Sequence, residues 1–213
     1  MMRSFRFVMG LMTAFFGCQS ALADGSGEWT VLFDGSDLSH WESIEGGEWK
    51  IEEDVLVGRN GRNWSTNPEQ TGSYLRTGKM YRDFVLELEY AINERGNSGV
   101  MFRSAAEKNP SFTGYELQIT DCFGREPNQK SMGIYDLIPP TENRARPANE
   151  WNQVRIEARG HHITVELNGK KVIDFTGDRR LEGYIGLQNH DERSVVKFRN
   201  IRIRETNTDE TDS

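Results

Sequence analysis

The stretch Phe84-Val85-Leu86-Glu87-Leu88-Glu89-Tyr90-Ala91-Ile92 sets the architecture of the chain. Phe84, Leu86, Leu88 and Tyr90 occupy alternate positions, with Glu87 and Glu89 between them. A period of two marks a strand with one buried face. The same alternation returns in Tyr115 to Thr120, where Tyr115, Leu117 and Ile119 oppose Glu116, Gln118 and Thr120. Further strands are expected over Glu28 to Phe33, Trp49 to Glu53, Val55 to Val57 and Val100 to Arg103. Trp151 to Ala158, His162 to Leu167 and Lys171 to Phe175 read as a hairpin series, with Asn168-Gly169 as a two-residue turn. Tyr184 to Gln188 and Val195 to Arg204 complete the set. No segment carries a helical stripe of helix length. Many short strands without intervening helices predict an all-β antiparallel sandwich or barrel.

The chain has 213 residues. Met1 to Ala23 reads as a secretory signal peptide: Arg3 and Arg6 open it, Phe7 to Phe16 is apolar, and Ala21-Leu22-Ala23 is a small-residue cleavage site. The apolar run is too short for a membrane span. A lipoprotein signal acylated at Cys18 is the competing reading, which Phe15 and Phe16 fit poorly. Residues 24 to 205 then form one domain, and 206 to 213 an acidic disordered tail. After cleavage only Cys122 remains, so no intrachain disulfide can form. A secreted, periplasmic location suits this composition. With 26 Lys and Arg against 33 Asp and Glu, the net charge is -7. There is no basic stripe to receive nucleic acid. The loops Asn60 to Ser73 and Phe123 to Asn149 are long enough to suggest a functional part.

In Val100-Met101-Phe102-Arg103, alternation places Val100 and Phe102 toward the core and Met101 and Arg103 on the other side. Glu116 and Gln118 leave the core face in their strand, as Glu87 and Glu89 do in theirs. A solvated outer face is the ordinary reason for such a pattern. Alternation alone leaves open whether these strands are neighbours. If they are, Arg103, Glu116 and Gln118 would line one polar groove.

Gly96-Asn97-Ser98-Gly99-Val100-Met101-Phe102-Arg103 resembles a signature of the 3-keto-disaccharide hydrolase family. Phe33-Asp34-Gly35 with Leu38 and Trp41 resembles its opening, and Gly114-Tyr115-Glu116-Leu117-Gln118-Ile119 its next strand. Trp151-Asn152 with Val154, then Leu167-Asn168-Gly169, Gly186-Leu187-Gln188-Asn189-His190 and Phe198-Arg199-Asn200-Ile201, come after these in order. The resemblance implies a concanavalin-like jelly roll of two curved antiparallel sheets. It also implies cleavage of glycosides whose C3 hydroxyl has been oxidised to a ketone.

A C3 ketone acidifies the C2 proton, so a base can form an enediolate that expels the oxygen from C1. Such a site needs a base, a donor for the C3 oxygen and an acid for the leaving group. Expected catalytic residues are Glu116 (base or metal ligand), His190 (alternative base or acid) and Arg103, which would polarise sugar oxygens. Expected substrate contacts are Asn97, Ser98, Gln118, Gln188, Asp121 and Trp64. Gly96 and Gly99 are expected to turn the backbone through positive φ, and Asp121 has turn capping as its other reading. Trp41, Trp49 and Trp151 are expected in the core. A divalent metal ion could assist, with Asp121 and Glu89 as further ligands, although no cluster has strong metal spacing. The other function class is a non-catalytic carbohydrate-binding, lectin-like module, which would need no base. The aglycone and the oligomeric state stay open.

Overall fold

The computed structural model describes residues 26–206 apart from 63, 65, 66 and 131. The expected leader, with Cys18, and positions 207–213 lie outside the described residues. Thr206, expected to begin the tail, instead closes the last strand. One sheet runs β11 (Lys170–Thr176), β10 (His162–Leu167), β9 (Asn152–Arg159), β6 (Phe84–Ile92), β13 (Val196–Thr206), β4 (Val55–Arg59) and β3 (Glu48–Glu52). An eighth strand, β1 (Ser26–Phe33), pairs with β13. The other sheet runs β2 (Trp41–Ile44), β5 (Tyr74–Tyr81), β12 (Gly183–Gln188), β7 (Asn97–Ser104) and β8 (Tyr115–Thr120). The two form a concanavalin-like jelly-roll sandwich. Among the described residues no helix is long and apolar enough to cross a membrane.

The alternating rows do what the pattern requires. Phe84, Leu86, Leu88 and Tyr90 of β6 meet Val100 and Phe102 of β7 and Tyr115, Leu117 and Ile119 of β8 in one buried cluster. Phe84 meets Phe102 edge-on at 6.4 Å, and Phe102 stacks on Tyr115 at 5.4 Å. Truncating a buried ring such as Phe102 to Ala costs about 3–5 kcal/mol. Trp41 joins this core and donates to the Leu32 carbonyl at 2.8 Å, and Trp49 packs against its edge. Trp151 does not join it: the ring lies under the Arg199 guanidinium at 4.0 Å.

Alternation fails at one residue. Between β7 and β12, Ser104 pairs with Tyr184 and Met101 with Gly186, so β7 carries one extra residue. Arg103 sits in this bulge at φ 51°. A bulge reverses the facing of the residues beyond it. Arg103 is therefore 0 % exposed and does not cross a cleft toward a sugar. Its Nε donates to the Arg82 carbonyl at 2.8 Å and its Nη1 to the Gly160 carbonyl at 2.6 Å. Its Nη2 pairs with Asp83 at 2.9 Å. Asp83 precedes β6 and Gly160 lies between β9 and β10, so Arg103 ties the five-stranded sheet to the eight-stranded one.

Glu87 and Glu89 also part from Glu116 and Gln118, because β6 belongs to the other sheet. Glu87 pairs with Arg155 and Arg202, and Glu89 with Arg199. An open groove of about 630 Å³ crosses this outer face, bordered by Phe33, Gln153, Glu166 and Asn200.

Candidate functional site

The outer face of the five-stranded sheet carries two rungs of side chains. Register aligns Tyr74 with Gln188 and Arg76 with Gly186. It aligns Gly186 with Met101, Met101 with Glu116, and Gly99 with Gln118. One rung therefore reads Tyr74, Gln188, Gly99, Gln118, and the next Arg76, Gly186, Met101, Glu116. The two glycines make the hollow. A Cβ on Gly99 would lie 2.1 Å from Glu116 Oε1, so the carboxyl leans across Gly99 toward Gln188. A Cβ on Gly186 would meet the Met101 methyl at 2.9 Å and the Tyr74 ring at 3.1 Å. Neither Gly99 nor Gly96 has positive φ; space at these positions, not backbone freedom, requires glycine.

Loops cover this face. A short helix, α1 (Pro110–Thr113), is capped by Asn109, which accepts from the Ser111 amide at 3.1 Å. Tyr135 donates its amide to the Glu116 carbonyl at 2.9 Å, and its ring meets Phe112 edge-on at 5.9 Å. The loop before β5 is pinned by Trp64, whose indole donates to the Ser73 carbonyl at 2.7 Å. Trp64 thus presents an edge to Tyr74 at 6.3 Å and lies parallel to His190 at 6.4 Å.

Under this cover Glu116 is 2 % exposed, and its Oε1 has no hydrogen-bond partner. Burial pushes its pKa from 4.5 up to about 7, against Ser111 and Gln188, which favour the charged form. Gln188 Oε1 and the Tyr74 hydroxyl are likewise buried and unpartnered. Buried polar atoms are nearly always paired, so three such atoms on one face indicate where a polar ligand sits. Gln118 is oriented by Asn97 Oδ1 and the Ser98 carbonyl, which its amide nitrogen bonds.

His190 Nδ1 lies 3.0 Å from Asp191 Oδ2. Asp191 Oδ1 accepts from the Arg193 amide at 2.8 Å, the Ser194 amide at 2.9 Å and the Ser194 hydroxyl at 3.0 Å. Burial opposes the charge on Asp191, but these bonds outweigh it and hold its pKa below the usual carboxylate range. A carboxylate so held directs the Nδ1 proton of the imidazole to itself and leaves Nε2 for chemistry.

Of the expected site residues, Glu116, Gln188, Gln118 and Asn97 come together, with Trp64 and His190 beside them through Tyr74. Arg103 does not join them. Ser98 is fully buried and donates its hydroxyl to the Gln188 carbonyl at 2.8 Å, so it supports the strand pair and offers nothing to a ligand. Asp121 accepts from the Arg95 amide at 3.0 Å, which is the turn-capping role. Glu89, on the opposite sheet, cannot share a metal with Glu116. Among the described residues no three His, Cys, Asp or Glu side chains gather to hold a metal ion. The sequence reading missed Tyr74, Arg76, Ser111 and Asp191. A Tyr-Leu-Arg-Thr alternation at 74–77 and the His190-Asp191 pair were the available signals.

Comparison with known proteins agrees with this architecture. Residues 28–204 match the 3-keto-alpha-glucoside-1,2-lyase-like domain, and the chain belongs to that family. A Bacteroides thetaiotaomicron protein named 3-keto-disaccharide hydrolase is 24 % identical over 234 aligned positions, covering 85 % of this chain and 79 % of that protein. A Parabacteroides distasonis crystal structure, described as a candidate glycosyl hydrolase, superposes with TM-score 0.70 at 25 % identity, covering 85 % of this chain and 94 % of that one. A Bacillus subtilis carbohydrate-binding module shares the fold at TM-score 0.57 and 20 % identity, over 76 % of this chain and 94 % of that one.

Proposed function

We propose that this protein is a secreted glycoside-cleaving enzyme acting on 3-keto-glycosides, with Glu116 as the base. The observation that carries this reading is the buried carboxyl of Glu116, with a pKa near neutrality and one oxygen without a partner, beside the unpartnered Gln188 Oε1 and the Tyr74 hydroxyl. A base works best when its pKa lies near the working pH. A pure binding face has no use for a buried carboxyl that costs stability.

Glu116 takes the C2 proton, and the C2–H electron pair forms a C2–C3 double bond while the carbonyl pair moves to the C3 oxygen. On collapse the C3 ketone re-forms, the C1–C2 double bond forms and the C1–oxygen bond breaks. His190, with its Nδ1–H held by Asp191 and its ring stacked on Trp64, acts as the imidazolium: it gives the Nε2 proton to the leaving oxygen and is left as the Nδ1–H tautomer. Water adding across the new double bond completes hydrolysis; release before that step makes the reaction an elimination. Gln118 and Gln188 hold hydroxyls, and Trp64 offers the sugar an apolar face. The leader read at 1–23 supports action outside the cytoplasm. No step is routed through a metal ion.

The test is aglycone release from a 3-keto-glucoside, with the unoxidised glucoside as control. Cleavage of the keto form alone, lost in Glu116→Gln while sugar binding persists, is expected. Binding without turnover of either sugar would leave the lectin-like reading in its place.

A further inference from the structure

Proton loss from C2 puts a full negative charge on the C3 oxygen, and an enzyme holds such a charge with pre-placed donors. Arg103, the cation expected for this task from sequence, is spent between the two sheets. Another cation lies on the correct face.

Arg76 stands on β5, and its side chain is only 16 % exposed. Its Nη2 donates to Glu42 at 2.7 Å, its Nη1 reaches the Ala106 carbonyl at 3.4 Å, and its plane lies over the Tyr184 ring at 4.6 Å. Three contacts hold the fork in place, and none of them uses the buried Nε. Tyr74, two residues earlier on the same face, is 0 % exposed, and its hydroxyl makes no well-aligned hydrogen bond, only a looser one with Arg76. Phenylalanine would fill the same space without leaving a buried hydroxyl unsatisfied, which costs about 1–3 kcal/mol. Burial makes that hydroxyl a weaker acid, with the neighbouring Arg76 acting the other way. It therefore stays a proton-bearing donor.

We propose that the Tyr74 hydroxyl and the Arg76 Nε–H form the cradle that holds the C3 oxygen as it takes up charge, on the side of Gln188 opposite Glu116. The register supports the placement. β5 and β7 flank β12, so Tyr74 and Gly99, over which the Glu116 carboxyl leans, are two strand spacings apart, about 10 Å between backbones. Side chains leaning in from both sides leave a sugar ring between them, with its C2 hydrogen toward Glu116 and its C3 oxygen toward β5. This assignment rests on reading Glu116 as the base.

Two readouts separate the claims. Exchange of the C2 hydrogen of a 3-keto-glucoside with deuterated water reports enolate formation, and binding of the unoxidised glucoside reports the site without its carbonyl. Glu116→Gln should abolish exchange. Tyr74→Phe should slow exchange and kcat about 100-fold, with KM and the binding of the unoxidised sugar within about threefold of wild type and a Tm at or above that of wild type. Arg76→Lys keeps the charge but removes Nε, and should show the same split; it carries the test if Tyr74→Phe fails to fold. Exchange lost in Glu116→Gln but kept in both β5 variants overturns the cradle and leaves the base in place. Exchange kept in Glu116→Gln overturns the base. A kcat unchanged while KM rises would also overturn the cradle, because it marks ordinary ground-state binding.

Discussion

The outer faces of the two sheets are both rich in charged and amide side chains, but they treat them in opposite ways. On the eight-stranded sheet the carboxylates of β6 are answered. Glu87 takes Arg155 at 2.7 Å and Arg202 at 2.6 Å, Glu89 takes Arg199 at 2.6 Å, and water reaches all of them. On the five-stranded sheet the polar groups are covered by loops, and Glu116, Gln188, Tyr74 and Arg76 each keep a buried atom without a partner. The open groove of about 630 Å³ lies on the first face, while on the second these four atoms gather under the loops. The need of these clustered atoms for a partner, more than the volume of the open groove, marks the second face as the site. Need is the stronger guide, because an unpaired buried donor or acceptor costs free energy that only a partner recovers.

Variants on the two faces should therefore differ in kind. Glu116→Gln should lower kcat about 1000-fold. It should also stabilise the protein at alkaline pH. The folded-state pKa of Glu116 is raised, so its stabilising contribution is complete below pH 4.5, declines as pH rises toward about 7 and is absent above. A neutral Gln escapes that loss, and chemical denaturation at pH 9 should show a gain approaching about 3 kcal/mol. At pH 4 the gain should vanish. Arg103→Ala strands Asp83 in the interior and should cost about 3–5 kcal/mol in the same assay, with kcat of the folded protein within about threefold of wild type. Asp191→Asn frees the imidazole from its orienting carboxylate. It should lower kcat about tenfold, with little change in Tm. Glu87→Gln should change stability by less than about 1 kcal/mol and leave kcat untouched, since exposed pairs contribute little.

How far these differences were visible in the sequence depends on the element. β6, β8 and β10 have the expected bounds, because a strict period of two admits only one assignment of faces. β2 and β5 gave no comparable signal. β2 spans only four residues, and Gly78, Lys79 and Met80 interrupt the apolar row of β5 with exposed positions. Losing β5 meant losing Tyr74 and Arg76. Arg103 was misplaced for a different reason. One inserted residue in a bulge turns a side chain to the opposite face, and nothing in Val100-Met101-Phe102-Arg103 announces it. Glu89 was grouped with Glu116 because alternation tells which side of a strand a residue occupies but not which sheet the strand joins.

The pH dependence of kcat/KM for a 3-keto-glucoside tests Glu116 most directly. The account predicts activity rising with pH through a midpoint of about 7 as Glu116 ionises, and the same rising limb missing from the residual activity of Glu116→Gln. A profile flat from pH 6 to 8, or the same limb surviving in Glu116→Gln, would contradict it.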